Sequence, residues 1–418
     1  MISSLFPQFT SLYAAFDRFP LPKGATTHIR QMAATLFNHC GDGLLYVAGD
    51  NGMQTLEQEQ LRDASVTLLR SPVVSDSTNV LAKAMAYSEQ LASVLQQRGQ
   101  GLRIAHFRDP WAGVPLVDFK QQHPELALVY EVNALPSIEL PMHIALPPTT
   151  IATIQQWEQR CLDGADVIIT PSKLTQTQLR LLTNTPVHYL PNGADVITDQ
   201  QLEAKLAAVN AEPPRLIYFG GAQRWQGLSH LLHAMVLINQ QLPVQLDLCL
   251  SLDNRQARQV KQRIRQLNLE HVVKVYFGLS QAELRPKIMQ ATASIAPLIA
   301  CQRNMQQGCC PLKIIESMAC ATAVIASDLP VVHELLQAPQ HGLLVPPSRP
   351  SELARACIRL LTQPELAQQM GRHGLAHIKQ HFQWPAINQQ LRHHYQHLLP
   401  QHSSLKRTHN ECLASEPV

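Results

Sequence analysis

The chain has 418 residues, 45% of them apolar, with 34 Lys and Arg against 31 Asp and Glu, for a net charge of +3. That is enough apolar residue for packed cores and enough length for two domains, which excludes a disordered protein. The basic residues are scattered without a block, which argues against a dedicated nucleic-acid binder, and no apolar run reaches the roughly 18 residues of a membrane span.

The N-terminal "MISSLFPQFTSLYAAF" lacks a positively charged leader region and reads as a loop entering a first strand. Strand candidates then follow in chain order: "SLYAAF", "GLLYVAG", "VTLLR", "LRIAHF", "LALVYEV", "DVIITPS", "VHYLPN", "RLIYFGG", "VQLDLCL", "VKVYFG", "ASIAPL", "TAVIAS" and "GLLVPP". Helical patterns separate them, among them Thr27 to Phe37, Thr78 to Arg98, Ile151 to Leu162, Leu228 to Asn239 and Ser351 to Leu361. Strand alternating with helix predicts an α/β protein with parallel sheets covered on both faces. So many strands fit two Rossmann-like, doubly wound domains better than one sheet. The polar, Pro-ended stretch Pro191 to Arg215 places a hinge near residues 193 to 213. The expected units are residues 1–200, residues 201–384, a helix over 385–399 packing back on the first unit, and a polar tail, 400–418, expected to be disordered.

In such sheets ligands sit beyond the carboxyl ends of the strands, so the strand-to-helix loops are where chemistry belongs. In "FDRFPLPKGATTHIRQMA", Gly24 permits close approach of a ligand, Lys23 stands beside it, and Thr26 or Thr27 can cap the helix that follows. The loop lacks G-x-G-x-x-G, so no nicotinamide cofactor is expected. "IAHFRDPWAGVPL" sets His106, Arg108, Asp109 and Trp111 just past a strand, and "YEVNALPSIELP" ends an apolar strand on Glu131 and Asn133. "YFGGAQRWQGLSHLLHAM" joins Gly220, Gly221, Arg224 and Gly227 at a helix start, a diphosphate-type site, although Gly pairs also occur at such turns for steric reasons alone.

The last loop is "QGCCPLKIIESMACATAVIASDLP". Pro311 suits the first position of a helix. The amides of Gly308, Cys309, Cys310 and Leu312 can then face an anion, with Lys313 adding charge and Glu316 one turn further in. A carboxylate so placed binds vicinal hydroxyls, as on a ribose. The alternative is a surface ion pair between Lys313 and Glu316.

Nine Cys in irregular spacing, with Cys309 and Cys310 adjacent and no C-x-x-C, suggest a reduced, cytoplasmic chain. The 19 His form no metal framework. "HHYQH", His393 to His397, could clamp a metal, but on a terminal helix such a stretch is more often a solvated face. No metal is expected.

Residues 10 to 395 resemble the GT-B fold glycosyltransferases of glycosyltransferase family 4, retaining enzymes that use nucleotide-sugar donors. The resemblance is carried by "CCPLKIIESMACATAVIASDLPVVHELL" with "GLLVPP", by "DGADVIITPSKLTQTQL" with "YLPNGAD", and by "YFGGAQRWQGLSHLLHAM". It implies two Rossmann-like domains facing a central cleft, the first on the acceptor side and the second on the nucleotide-sugar side. It places Gly24 in the family's first loop, His106 near the donor sugar, Glu316 at the second Glu of E-x7-E, and Lys313 at the lysine of a P-L-K variant. The first Glu of that motif falls at Gly308, and the family's third-loop Arg and Lys fall at Gly221 and Gln226. Arg224 and Lys313 are the expected replacements, so His106, Arg224 and Lys313 are the candidate catalytic groups. The implied reaction is retaining transfer of a sugar, of the hexosyltransferase type, to an acceptor hydroxyl on a glycan, lipid or small molecule, with no metal or other cofactor. A lipid acceptor would bring the protein to the inner face of the membrane. The alternatives are a catalytically silent relative that binds a sugar nucleotide or a protein, and a nucleotide-sugar epimerase.

Overall fold

The computed structural model describes residues 8–21, 24–49, 53–61, 64–71, 79–207, 213–251 and 254–399. The candidate Lys23, the first seven residues and the tail 400–418 lie outside them.

The first domain holds β1 (Ser11–Arg18), β2 (Gly43–Ala48), β3 (Leu56–Leu61), β4 (Ala64–Arg70), β5 (Ile104–Phe107), β6 (Ala127–Glu131), β7 (Val167–Thr170) and β8 (Val187–Tyr189). They form an eight-stranded sheet in the order β3-β4-β2-β1-β5-β6-β7-β8. The second holds β9 (Arg215–Gly220), β10 (Gln245–Leu250), β11 (Val273–Phe277), β12 (Ala293–Ala296), β13 (Ala323–Ser327) and β14 (Gly342–Val345). Their order is β11-β10-β9-β12-β13-β14. Central runs such as "VIIT" and "AVIAS" are apolar at nearly every position because helices cover both faces. In each sheet the order reverses beside the first strand, between β1 and β5 and between β9 and β12. Those reversals open the crevices where ligands bind.

One strand departs from the expected set. β3, "LEQEQL", pairs antiparallel with β4 at the sheet edge. Its charges are part of that position: Glu57 meets Arg70 and Glu59 meets Arg30 at 2.8 Å. An edge strand needs one buried face at most and is protected by charge, so it carries little apolar signal.

The last described helix packs on the first domain. The helix Trp384–Leu398 buries Trp384, Ile387, Leu391 and Tyr395 in the same cluster as Tyr13, Ile29 and Leu45. Where the interdomain linker passes, the Ala194 amide donates to the Phe382 carbonyl at 2.8 Å. Gly193 lies so close to Trp384 that a Cβ would stand 2.8 Å from its ring. Among the described residues no helix is long and apolar enough to cross a membrane, and no group of three or more His, Cys, Asp or Glu could hold a metal ion.

Candidate active site

A cleft of about 830 Å³ opens between the carboxyl ends of the two sheets. From the first domain Gly24, Arg108 and Asn133 line it; from the second come Gly220, Gly221, Cys309, Cys310, Leu312, Lys313 and Glu316.

The second-domain wall is built on the helix Leu312–Ala319. Pro311 is its N-cap, one position earlier than expected. A helix start leaves amides unpaired and favours an anion. Lys313, in the first turn, is only 6% exposed. Its Nζ donates to Gln226 Oε1 at 2.6 Å and lies 3.9 Å above the Tyr218 ring. Burial brings it down to about 7. Among the described residues no carboxylate pairs with it, so the surface pair with Glu316 does not form. Glu316 is half-buried and accepts from Gln281 Nε2 at 3.2 Å. Burial pushes its carboxyl up to about 7, against the opposing pull of Gln281 and Arg285. Gly24 faces this helix across the cleft, where a Cβ would stand 2.8 Å from Leu312 Cδ1. The first loop thus touches the opposite wall, as a glycine there allows.

Two expectations for this wall change. Arg224 is exposed in the short 3₁₀ turn Arg224–Gln226 and does not line the cleft. The turn points its neighbours Trp225 and Gln226 inward instead. Gly308 does not line the cleft either: its φ of +93° and its packing against Ser172 and Thr175 turn it toward the first domain. A cation that sequence reasoning missed does line it. Arg303, in the π-helical turn Arg303–Gln307, stacks 3.8 Å from the Trp225 ring and pairs with Glu139 of the first domain at 3.2 Å. Burial opposes its charge, but Cys309 and Glu139 more than offset that. No local pattern in "QRNMQQG" announces it, because the unusual turn decides where it points.

The first-domain wall rests on a buried network around Glu131, which is 2% exposed at the end of β6. His28 Nε2 lies 2.5 Å from its Oε1 and His106 Nε2 3.1 Å from its Oε2. Tyr13 OH donates to it at 3.0 Å, Arg108 Nε at 3.3 Å, and Asn133 Nδ2 also donates. Burial alone would raise Glu131, but His28 and Arg108 hold it well below the usual carboxylate range.

His106, expected near a donor sugar, does not line the cleft. It is fully buried beneath the cleft, and burial lowers its pKa. Its Nδ1 lies 2.6 Å from Tyr395 OH. A neutral ring that donates from Nε2 to the Glu131 carboxylate must accept at Nδ1 from that hydroxyl. Glu131 is likewise a support for cleft residues and does not line the cleft itself. Asp109 is the N-cap of the helix Pro110–Gln122, accepting from Ala112 N at 3.0 Å and Phe16 N at 2.6 Å, with burial pushing it up to about 6. It too stays out of the cleft. From these two loops Arg108, Asn133, Ala134 and Glu139 reach it. His28 and Tyr395 complete the network; Tyr395 belongs to "HHYQH", read as a solvated face, yet it is fully buried.

Residues 199–377 match the family model described as "Glycosyl transferases group 1". The MMP alpha-(1->4)-mannosyltransferase of Mycolicibacterium hassiacum is 26% identical over 48% of this chain and 46% of its own length. The alpha-maltose-1-phosphate synthase of Mycolicibacterium smegmatis is 28% identical over 57% of this chain and 65% of its own. The chain thus spans less than two thirds of these curated relatives. Two solved structures share the whole architecture. Sucrose-phosphate synthase from Thermosynechococcus elongatus superposes with a TM-score of 0.76 at 20% identity, over 93% of this chain and 99% of that one. Anabaena HepE, solved in complex with UDP-glucose, gives 0.70 at 17% identity, over 93% of this chain and 99% of that one.

Proposed function

We propose that this chain, which has the GT-B fold, is a glycosyltransferase that moves a sugar from a nucleoside-diphosphate donor to an acceptor hydroxyl with retention at the anomeric carbon, as a family 4 enzyme does. The observation that carries this is Lys313: a buried amine with no carboxylate partner among the described residues, at a helix start, one turn from Glu316. Such a cation asks for an anion. Its Nζ is bonded to Gln226 and lies beside Gly220, so it reaches the region where the two usual third-loop cations are missing. The diphosphate would lie against Lys313 and the amides of Cys310 and Leu312. The ribose hydroxyls would donate to Glu316. HepE, solved with UDP-glucose, supports a nucleotide-sugar donor.

The difficult step is departure of the diphosphate. The bond from the anomeric carbon to the diphosphate oxygen breaks and its electron pair leaves with that oxygen. Lys313 and the helix start stabilise the charge that develops there. The acceptor hydroxyl attacks from the same face and passes its proton to the leaving phosphate. A double displacement would need a carboxylate nucleophile, yet Gly308 stands where the family's first Glu falls. The carboxylates Asp17 and Glu139 at the cleft are committed to Arg108 and Arg303. Arg108 and Asn133, held by Glu131, are the groups that would orient sugar hydroxyls from the acceptor side.

A thermal-shift panel tests this, with UDP, GDP, ADP and their glucose, mannose and N-acetylglucosamine conjugates. A ligand that binds only the folded state raises the melting temperature. One nucleotide should do so in the wild type and lose most of the effect in Glu316→Ala. No shift with any of them would favour the catalytically silent reading instead.

A further inference from the structure

The positive charge that looks scattered along the sequence is concentrated in one stretch of the second domain, at and beside the edge strand β11. Residues 254–287 hold eight Lys and Arg against only Glu270 and Glu283, whereas the whole chain has a net charge of +3, so the remainder is net negative. These residues form the helix Asn254–Gln266, the edge strand β11 and the helix Gln281–Gln290. The first helix contains no acid and buries Val260 and Ile264 against the sheet. Arg258, Lys261 and Lys274 are exposed.

Two aromatic rings sit among these cations. Phe277, 36% exposed, lies under Lys261 Nζ at 5.1 Å, and Tyr276 lies under Lys287 Nζ at 3.7 Å. After Phe277 the chain runs directly into Leu279, Ser280 and Gln281, which line the cleft. The basic edge therefore borders the mouth of the cleft on its second-domain side.

We propose that this edge docks the protein on an anionic phospholipid bilayer, with the cleft mouth next to the surface. Clustered Lys and Arg on a surface helix are attracted to anionic headgroups. A partly exposed Phe beneath a long Lys side chain suits the boundary between headgroup and acyl chain, where the ring sinks and the ammonium stays in water. A nucleic acid is a poorer match: each ring already carries an ammonium over its face, which takes the place a base would need for stacking. The proposal concerns this edge alone and stands whether or not the donor reading holds.

The test is flotation of the full-length protein with vesicles of phosphatidylcholine alone and of equal parts phosphatidylcholine and phosphatidylglycerol. Binding is expected only to the anionic vesicles, and it should weaken steeply as salt is added. The triple variant Arg258→Glu/Lys261→Glu/Lys274→Glu should lower the partition coefficient by about a hundredfold or more. A control of equal charge change, Arg355→Glu/Arg359→Glu/Arg372→Glu on other exposed positions, should retain most of the binding. Circular dichroism melts of both triple variants separate lost binding from lost folding. If the first variant is unfolded, Phe277→Ala in the folded protein takes its place and should weaken vesicle binding severalfold. Equal binding to both vesicle types would overturn the proposal. So would equal losses in the two triple variants, or tighter binding to a single-stranded RNA oligomer than to the anionic vesicles.

Discussion

At the scale of single residues, Lys313 and Glu316 have pKa values that nearly coincide, at about 7, both because burial disfavours the charged form. In the proposed donor complex the site needs the opposite of what burial favours: an ammonium against the diphosphate and a carboxylate under the ribose. Binding a diphosphate raises the Lys313 pKa. Above about pH 7 the free protein has lost that proton and must take it up on binding, so the dissociation constant should rise by up to about tenfold per pH unit until the bound-state value is reached. Below about pH 7 Glu316 is protonated in the free protein, and affinity should fall on that side as well. Nucleotide affinity, measured by isothermal titration from about pH 6 to about pH 9, should therefore peak near neutrality. Lys313→Ala should weaken binding by about tenfold to a hundredfold and flatten the alkaline limb while leaving the acid limb. An alkaline limb of full slope in Lys313→Ala would assign that proton to another group. Both residues were legible in the sequence because charge inside an otherwise apolar helix is conspicuous. His106 was misread for a geometric reason: β5 ends at Phe107, so His106 is still held under the sheet while Arg108, past the strand end, turns into the cleft.

Among the elements, the segment between β12 and the helix Leu312–Ala319 decides how the two domains meet. The Leu135 amide donates to Gln307 Oε1 at 3.2 Å, and Arg303 reaches Glu139. Glu334, after β13, accepts from Ser172 Oγ at 3.0 Å and from the amides of Lys173 and Leu174 at 2.7 and 2.9 Å. It thereby caps a helix of the other domain. Gly308 sits inside this contact with φ +93° and ψ 165°, a conformation open in practice only to glycine. A Cβ there would lie 2.6 Å from Ser172 Oγ. Gly308→Ala should therefore destabilise the protein by about 2 kcal/mol or more in urea unfolding. Gly308→Glu, which puts a glutamate where the resemblance expects one, should cost at least as much and return no activity. A stable, more active Gly308→Glu protein would show that the segment repacks. The regular elements were legible, since apolar strands covered on both faces alternate with helices. The edge strand β3 and the turn Arg303–Gln307 were not. One is polar by necessity at an edge, and the other takes its shape from tertiary contacts that no local pattern encodes.

For the whole molecule, the order of the chain and the order of the cores do not coincide. The helix Trp384–Leu398 follows the second domain in sequence, yet its apolar face completes the first. Trp384 fills the space left by Gly193, stands edge-on to His28 with ring centroids 6.1 Å apart, and begins the helix whose Tyr395 supports His106. One helix thus joins the linker, the first-domain core and the Glu131 network that holds Arg108 and Asn133. Trp384→Ala should cost about 3–5 kcal/mol, the range for emptying a large buried aromatic site. The loss should appear where the helix packs and not where it is connected. In hydrogen exchange, β1, β2 and the helix Gly24–Cys40 should lose protection, while β9, β10 and β12 to β14 retain theirs. The proposed donor wall belongs to the second domain, so nucleotide binding should outlast transfer activity in this variant as temperature rises. Loss of protection in the second sheet first would mean that the last helix is held chiefly by the domain that precedes it, and that the first domain closes its core without it.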